Sequence, residues 1–424
     1  MSYPLIKLSI RYIEEFRKCV NNSSYLILNN QPHSQSWNIL CACMDRIEDT
    51  TKYLNSKTLG EKHDYGCAFD LMEFLSHSAS MLDCIDTITE TLKAEKAIET
   101  PEVIFKGKTI TNRKKLNERL AKIKRKKPYA NEDDLYFEYI RSIGVVHPNK
   151  TSRHQYFQRH KKEVSSFFIW NSLIGLADGD ISIHVYDSNN KDNSIRILKL
   201  KLAEIYAYIV NRYNRIPTLE NIFRSQIKCL IDDLKSQKVL SENDFNNYDE
   251  YLLYLKKEAH KRSRYAEYCV DETIKIININ NIPKEISKKY SKYCNALIYS
   301  MNDLRKILQS PILSDDFNEC ILAEELHLPD ILRDDETDMT SYYYEKASQL
   351  YNEEKYGIYG IDWARTQAKN LYKLVKEYAP VEDDTIDRLD NLQLLAVLNT
   401  ALYFYSLKHD TFISKKIPKT NTYQ

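Results

Sequence analysis

The chain has 424 residues, of which 43% are hydrophobic and 29% are charged, a composition that supports a large folded core and excludes wholesale disorder. Its 61 basic and 60 acidic residues leave a net charge of +1, so the total charge points to no class of partner. Only eight glycines occur, and the sequence has no Gly-x-Gly-x-x-Gly or Gly-x4-Gly-Lys-Ser/Thr string. These counts argue against kinase, P-loop and Rossmann nucleotide-binding classes.

The nine cysteines are scattered and include no Cys-x2-Cys pair, which fits a reducing compartment and predicts no zinc site. Lys7, Arg11 and Glu14 interrupt the N-terminal segment where a secretory signal needs an apolar core. The most apolar run, at 391–407, is shorter than the roughly 20 residues that a membrane span needs, and a buried helix is expected there. We therefore expect a cytoplasmic protein with no membrane segment, no bound metal and no cofactor.

Helical periodicity dominates the chain in order from its N-terminus. In the first part it predicts helices at about 5–20, 35–56, 67–96, 112–126, 132–146 and 152–176. The run ISIHVYD then alternates apolar and polar residues, and a polar SNNKDN turn leads into SIRILKL, which predicts a β-hairpin at 180–200. Helices are predicted again at about 201–214, 218–236, 242–266, 284–308, 341–355, 362–378 and 386–407, with a short strand at 273–279. The expected fold is mainly α, a multi-helical bundle with a small β-hairpin.

Two positions are candidate domain joints, namely 214–218 around Pro217 and 310–315 around Pro311. The first joint predicts a helical domain at 1–215, which contains a basic insertion at 106–128 and the hairpin. A second helical domain is predicted at 216–424, with a sensory, regulatory or scaffolding role.

One short stretch combines residues that suit phosphate chemistry. Arg141 follows an amphipathic helix, and His147 stands six positions later, directly before Pro148. Because proline disfavours helical backbone in the residue before it, His147 is expected at a helix end, where the chain could bring it back beside Arg141. A guanidinium grips phosphate with a fork of donors, and an imidazole exchanges protons near neutral pH. Gly144 is expected to loosen the last helical turn.

This arrangement resembles the Arg-x4–6-His motif of the HEPN superfamily of helical ribonucleases, over residues 35–175 at most. The resemblance implies a metal-independent endoribonuclease, typically a dimer with facing motifs, that acts in antiviral defence or as a growth-arresting toxin. Arg141 would stabilise charge on the phosphate and His147 would be the general acid or base, with Glu138, Thr151 and His154 as helpers. Ser142 departs from the Asn that often follows the motif arginine.

The basic insertion is the second candidate site. Between 106 and 128 there are eleven Lys or Arg residues and one acid, and the candidate RNA contacts are Lys114, Lys115, Lys124, Arg125, Lys126 and Lys127. A solvated loop explains the same composition equally well. The partners expected are RNA, a second copy of the chain and a protein trigger or inhibitor. The alternative function is a non-catalytic helical module that binds protein or nucleic acid.

Overall fold

A computed structural model gives the fold and describes residues 5–30, 36–59, 66–146, 154–158, 163–170, 180–187, 195–262, 264–309 and 339–409. Helices account for most of these residues, and a small antiparallel sheet accompanies them, which confirms the mainly α fold with a small hairpin. The chain divides into two compact units. Unit 1 comprises residues 1–24 and 32–228, and unit 2 comprises residues 25–31 and 229–424.

The elements of the first half are α1 (Ile10–Asn22), α2 (Ser24–Asn29), α3 (Ser36–Ser56), α4 (Gly66–Thr91), α5 (Arg113–Lys124), α6 (Glu132–Arg141) with a π-helical turn (Ser142–Val146), β1 (Glu163–Trp170), β2 (Ile181–Asp187), β3 (Arg196–Leu200) and α7 (Leu202–Tyr213). The remaining helices are α8 (Ile216–Ser236), α9 (Tyr248–Arg262), α10 (Arg264–Ile277), α11 (Ser287–Leu308), α12 (Thr340–Ala347), α13 (Glu353–Val375), α14 (Asp383–Arg388) and α15 (Asn391–Lys408).

The core of unit 1 includes α3 packed against α4. The buried side chains of α3 recur at helical spacing and include Leu40, Met44, Ile47 and Leu54, so one face of the helix is apolar along its length. α4 also packs against α6, α7 and β1. It therefore connects the helical layer of unit 1 to the sheet.

The sheet has the strand order β1-β2-β3, and both pairings are antiparallel. Ile181, Ile183 and Val185 of β2 are buried, as the period-two alternation in the sequence predicts. The register pairs Ile181 with Trp170 of β1 on one side and with Leu200 of β3 on the other. The predicted hairpin is thus present, with a third strand added to it.

Unit 2 has a core that α15 crosses. Residues Leu394–Tyr403 of this helix are all buried, in agreement with the buried helix expected from the sequence. Their neighbours in the core include Tyr293 of α11 and Leu371 of α13. Within the described ranges, no helix has both the length and the apolarity needed to cross a membrane.

Two predicted elements are wrong. Residues 163–170 form a strand in place of the predicted helix at 152–176, because β2 supplies their hydrogen-bonding partner and the aromatic and β-branched residues of EVSSFFIW fit the pleated, half-buried surface of the sheet. The predicted strand at 273–279 belongs largely to α10, since Cys269, Val270, Thr273 and Ile276 are buried at helical spacing. There the burial of one helical face outweighs the β propensity of the isoleucines.

The candidate joint at 214–218 lies where α7 ends and α8 begins, whereas the division between the units falls within α8, after Lys228. The second candidate joint, at 310–315, is outside the described residues.

A buried arginine fixes helix ends in unit 2. The Arg262 side chain is fully buried and its Nε donates to Glu258 Oε2 at 3.0 Å. Its Nη1 donates to the Leu234 carbonyl at 2.6 Å and to the Leu308 carbonyl at 3.2 Å. Those carbonyls belong to the last turns of α8 and α11, where no helical N–H remains to satisfy them and where a positive charge is favoured.

We expect Arg262→Ala to destabilise the protein by about 3 kcal/mol or more, because it removes one donor from the buried Glu258 carboxylate and the side-chain donor from two buried carbonyls. Lys261→Ala is the matched control, since Lys261 pairs with the same Glu258 but is 42% exposed, and it should cost less than about 1 kcal/mol. Urea unfolding followed by circular dichroism measures both. Equal losses for the two variants would contradict this role of Arg262.

Candidate active site

The start of α6 is fixed by a buried carboxylate. Asp133 is fully buried, and its oxygens accept hydrogen bonds from the backbone N–H of Ile104 at 2.6 Å and of Phe105 at 3.2 Å. The ammonium group of Lys108 lies 3.1 Å from Asp133 Oδ1. A buried carboxylate is tolerated only with such partners, so these contacts hold the segment 104–108 against the first turn of α6.

The same turn is tied to α7. Asn131 and Asp134 form a reciprocal capping box at the α6 N-terminus. Asp134 Oδ1 also accepts from Tyr208 Oη at 2.9 Å and from Arg212 Nε at 3.1 Å. Arg212 is 2% exposed, and its Nη2 donates to Asn131 Oδ1 at 2.9 Å. The sequence NEDD thus begins α6 and fixes its position within unit 1.

The end of α6 carries Arg141 and is fixed by β1. After Arg141 the chain continues as the π-helical turn, and Ser165 Oγ of β1 donates to the Ile143 carbonyl at 2.6 Å. Phe168 of β1 packs against Gly144 so closely that an added Cβ would lie 2.2 Å from the ring. A residue without a Cβ is therefore required at position 144 chiefly to leave room for the Phe168 ring. The sequence alone predicts only that Gly144 weakens the helical turn.

Arg141 and Glu138 line one pocket, here called the Arg141 pocket, with a volume of about 250 Å³. Both side chains are half-buried. Ile123 and Lys127, from the C-terminal part of the basic insertion, line the same pocket. The structure thus brings two predicted catalytic residues and one predicted RNA contact together. The lining is completed by Ala79, Leu82, Asp83, Asp86, Tyr129, Ala130, Asp134, Leu135, Phe137 and Tyr208.

Three of the six charged residues that line the Arg141 pocket, Asp86, Lys127 and Asp134, have oppositely charged partners. Asp86 Oδ2 lies 2.7 Å from Lys127 Nζ, and Asp86 Oδ1 accepts from Tyr129 Oη at 2.9 Å and from Arg215 at 3.3 Å. Lys127 is therefore held by an acid and points into the pocket, unlike the exposed residues of the insertion. Asp134 is likewise paired with Arg212.

Asp83 is a functional candidate that the sequence analysis missed. It lines the Arg141 pocket with an accessible side chain, three positions before Asp86 on the same face of α4. Reduced hydration in the pocket raises the pKa of the Asp83 carboxyl, while the charges of Arg141 and Lys127 oppose the rise and Asp86 adds to it. The sequence feature that could have identified Asp83 is its position three residues before Asp86 in a predicted helix, which puts the two carboxylates on one face. A carboxyl with a raised pKa beside an arginine can exchange protons during a reaction.

The basic insertion is largely an exposed helix. Leu116 is the buried residue of α5, and Asn112 caps its start by accepting from the Lys115 N–H at 3.0 Å. The side chains of Lys114, Lys124, Arg125 and Lys126 are exposed, and so is that of Lys115, whose Nζ donates to Gln155 at 2.7 Å. Arg125 and Lys126 border an open groove together with Glu90 and Glu95. Five of the six predicted RNA contacts are thus available at the surface.

The remaining predicted residues are not brought to this pocket. His154 is 1% exposed, its Nδ1 lies 3.2 Å from Tyr156 Oη, and its ring packs against Tyr139 with centroids 5.6 Å apart. It does not belong to the lining of the Arg141 pocket, and this burial gives no support to a catalytic role. His147 and Thr151 are outside the described residues. No group of His, Cys, Asp or Glu in the part of the chain described here is arranged to hold a metal ion.

Comparison with family models, with curated proteins and with solved structures found no match to this chain.

We expect Gly144→Ala to destabilise the protein by about 1–3 kcal/mol, because the new methyl group must displace the buried Phe168 ring. In an unconstrained helical turn the same change would stabilise the protein by up to about 1 kcal/mol. The sign of the change in unfolding free energy therefore distinguishes the two situations. Thermal unfolding of Gly144→Ala, Phe168→Leu and the double variant measures the coupling. If the two losses simply add, the contact does not limit residue 144.

Proposed function

We propose that unit 1 is a metal-independent endoribonuclease of the HEPN type, with Arg141 and Glu138 in its active site. The observation that carries the proposal is the shared pocket, in which Arg141 and Glu138 meet Lys127 of the basic insertion. An RNA strand held by the exposed cations of α5 would lie next to the group that stabilises a reacting phosphate. The free cysteines fit a reducing compartment such as the cytoplasm. The HEPN resemblance implies a role in antiviral defence or growth arrest, with two chains facing each other across the site.

The chemistry follows from the functional groups. A base removes the proton from a ribose 2′-hydroxyl, and the resulting oxygen attacks the adjacent phosphorus. The bond from phosphorus to the 5′-oxygen breaks, and an acid protonates that oxygen, which leaves a 2′,3′-cyclic phosphate and a 5′-hydroxyl. The Arg141 guanidinium stabilises the charge that grows on the phosphate oxygens. His147 is the proposed acid or base. Asp83, which lines the Arg141 pocket, is proposed as a further proton-exchanging group.

The Arg141 pocket and α5 differ in charge, and this difference supports separate proposed roles in RNA cleavage and in RNA binding. Because Asp86 and Asp134 are paired with Lys127 and Arg212, the Arg141 pocket offers little excess positive charge. The attraction for a polyanion comes from α5, most of whose exposed side chains are basic. Binding and cleavage should therefore respond to different substitutions.

We expect Arg141→Ala to lower kcat by about 10²–10³-fold with little change in stability, and Arg141→Lys to restore part of the rate. Arg224→Ala, which removes an exposed arginine of α8, is the matched control. The assay uses the full chain with labelled single-stranded RNA, and with DNA of the same sequence, in the presence and absence of EDTA. Cleavage of DNA, loss of activity in EDTA, or an unchanged rate in Arg141→Ala would refute the mechanism.

The proton-exchange role of Asp83 has its own test. Its raised pKa means that the carboxylate is protonated at a higher pH than that of an ordinary aspartate. The rate should therefore decline as the pH falls through that pKa, and Asp83→Asn should remove this step from the pH profile. The measurement is the profile of kcat against pH for the wild type and for Asp83→Asn. A step that persists in Asp83→Asn belongs to another group.

RNA affinity should depend on α5 and its C-terminal end. Replacing Lys124, Arg125 and Lys126 with Gln should weaken binding and reduce the slope of log K against log salt by about 2, since each phosphate contact contributes about 0.7 on a single strand. The control removes three exposed lysines of unit 2, Lys284, Lys288 and Lys292. Fluorescence anisotropy at several salt concentrations measures both.

Equal effects of the two triple variants would mean that RNA is attracted nonspecifically. Salt-dependent binding through α5 without any cleavage would favour the alternative, a non-catalytic nucleic-acid-binding module. The exposure of the basic side chains of α5 is the observation behind that alternative.

A further inference from the structure

Three charged side chains that line the Arg141 pocket are not bonded to protein groups. Asp83, Glu138 and Arg141 form no side-chain hydrogen bond or ion pair in the part of the chain that the structure describes. Arg141 is near enough to lower the pKa of Asp83, but the two are not in direct contact. Two carboxylates and one guanidinium are therefore available to a ligand. A phosphate that entered the pocket completely would be repelled by the carboxylates, whereas a neutral group with hydrogen-bond donors would be attracted.

Glu138 lies next to the group that is proposed to hold the phosphate. Glu138 and Arg141 are three residues apart on α6, so their side chains are neighbours on one face of the helix. Both are half-buried. An RNA strand with a phosphate at Arg141 would therefore bring an adjacent part of the same nucleotide, or of the next one, to Glu138.

The size and the walls of the Arg141 pocket fit one nucleobase. Its volume of about 250 Å³ is below the roughly 300–1,000 Å³ of pockets that enclose drug-sized molecules, so a single ring system fits better than a whole nucleotide. Apolar side chains contribute to the walls, among them Ala79 and Leu82 of α4 and Ile123 of α5. Sites that bind an unstacked base typically enclose its faces with apolar or aromatic side chains and contact its Watson–Crick edge with polar groups.

A carboxylate discriminates among the four RNA bases because it can only accept hydrogen bonds. Guanine presents two adjacent donors, N1–H and N2–H, which match the two carboxylate oxygens in the way that an arginine fork does. Adenine and cytosine place an acceptor ring nitrogen beside their amino group, and uracil has one N–H between two carbonyls. Each of these three bases would direct at least one lone pair at the carboxylate. Glu138 therefore favours guanine.

We propose that the Arg141 pocket binds a guanine base of the RNA strand, and that the Glu138 carboxylate accepts hydrogen bonds from its N1–H and N2–H groups. This inference rests on the proposed function, because it names the base that would lie beside the phosphate at Arg141. Glu138 is then the residue that determines base specificity. A free guanine nucleotide presents the same edge, and the experiment separates the two sources.

The test measures binding without cleavage. The full chain is titrated into fluorescent 2′-O-methyl oligonucleotides of uridine that carry one central guanosine, inosine or adenosine, and anisotropy gives the affinity. The methyl group blocks the 2′-oxygen, so the proposed cleavage reaction cannot occur. We expect guanosine to bind about 10–100-fold more tightly than adenosine, as for other bidentate base contacts. Inosine lacks the N2 amino group and should fall between them.

Glu138→Gln should remove most of the preference for guanosine without weakening the binding of an all-uridine strand, because the new amide directs an N–H at a guanine donor. The matched control is Glu102→Gln, which removes the same charge from an exposed side chain of unit 1 that does not line the pocket. The control should keep the preference. Circular dichroism checks folding. Glu138→Asp is the second variant if Glu138→Gln does not fold, and its shortened side chain should reduce the ratio of the guanosine and adenosine affinities.

Equal affinities for guanosine and adenosine in the wild type would overturn the proposal, and so would an unchanged preference in the folded Glu138 variant. Tighter binding of free guanosine monophosphate than of the guanosine strand would also overturn it, by assigning the pocket to a nucleotide. Unmodified strands, assayed in parallel, separate this inference from the proposed function. A guanosine preference in binding without any cleavage would refute the ribonuclease and retain the guanine site, whereas cleavage with no base preference would do the reverse.

Discussion

The organisation of unit 1 depends on a carboxylate that has no access to water. Asp133 can be buried at the start of α6 only because two backbone N–H groups and the Lys108 ammonium satisfy it. Those donors all come from the segment 104–108, so a single side chain sets both the position of α6 and that of the segment. Removing any one partner would leave part of a buried charge unsatisfied, and the contacts are therefore mutually dependent.

The proposed active site follows from this constraint. α6 contributes Glu138 and Arg141 to the Arg141 pocket. The helix is held at its start by Asp133 and at its end by the contacts of β1 with the π-helical turn. Fixing both ends gives the Arg141 pocket a defined wall.

The basic side chains of unit 1 differ in what they contact. Lys127 is paired with Asp86 and becomes part of a network of paired charges that shapes the Arg141 pocket. Lys124, Arg125 and Lys126 are exposed and can contribute their charge to an incoming polyanion. A similar distinction holds in unit 2, where Arg262 is fully buried on helix-end carbonyls while Lys261 pairs with the same Glu258 at the surface. Residue type alone does not show whether a lysine or arginine is held in a structural contact or is available to a ligand. That depends on the groups that lie beside it in the folded chain.

The sequence by itself determined the features that depend on local periodicity. The helices, the alternation in ISIHVYD that forms β2, and the buried character of 391–407 follow from which residues must leave water. It also identified Arg141, Glu138 and the basic insertion as candidates. Tertiary structure alone decided what these residues face. Asp83 meets Arg141 because α4 packs against α6, Lys127 turns inward because Asp86 lies opposite, and EVSSFFIW becomes a strand because β2 supplies its hydrogen-bonding partner. These contacts join residues far apart in the chain, and no short window of sequence contains both partners.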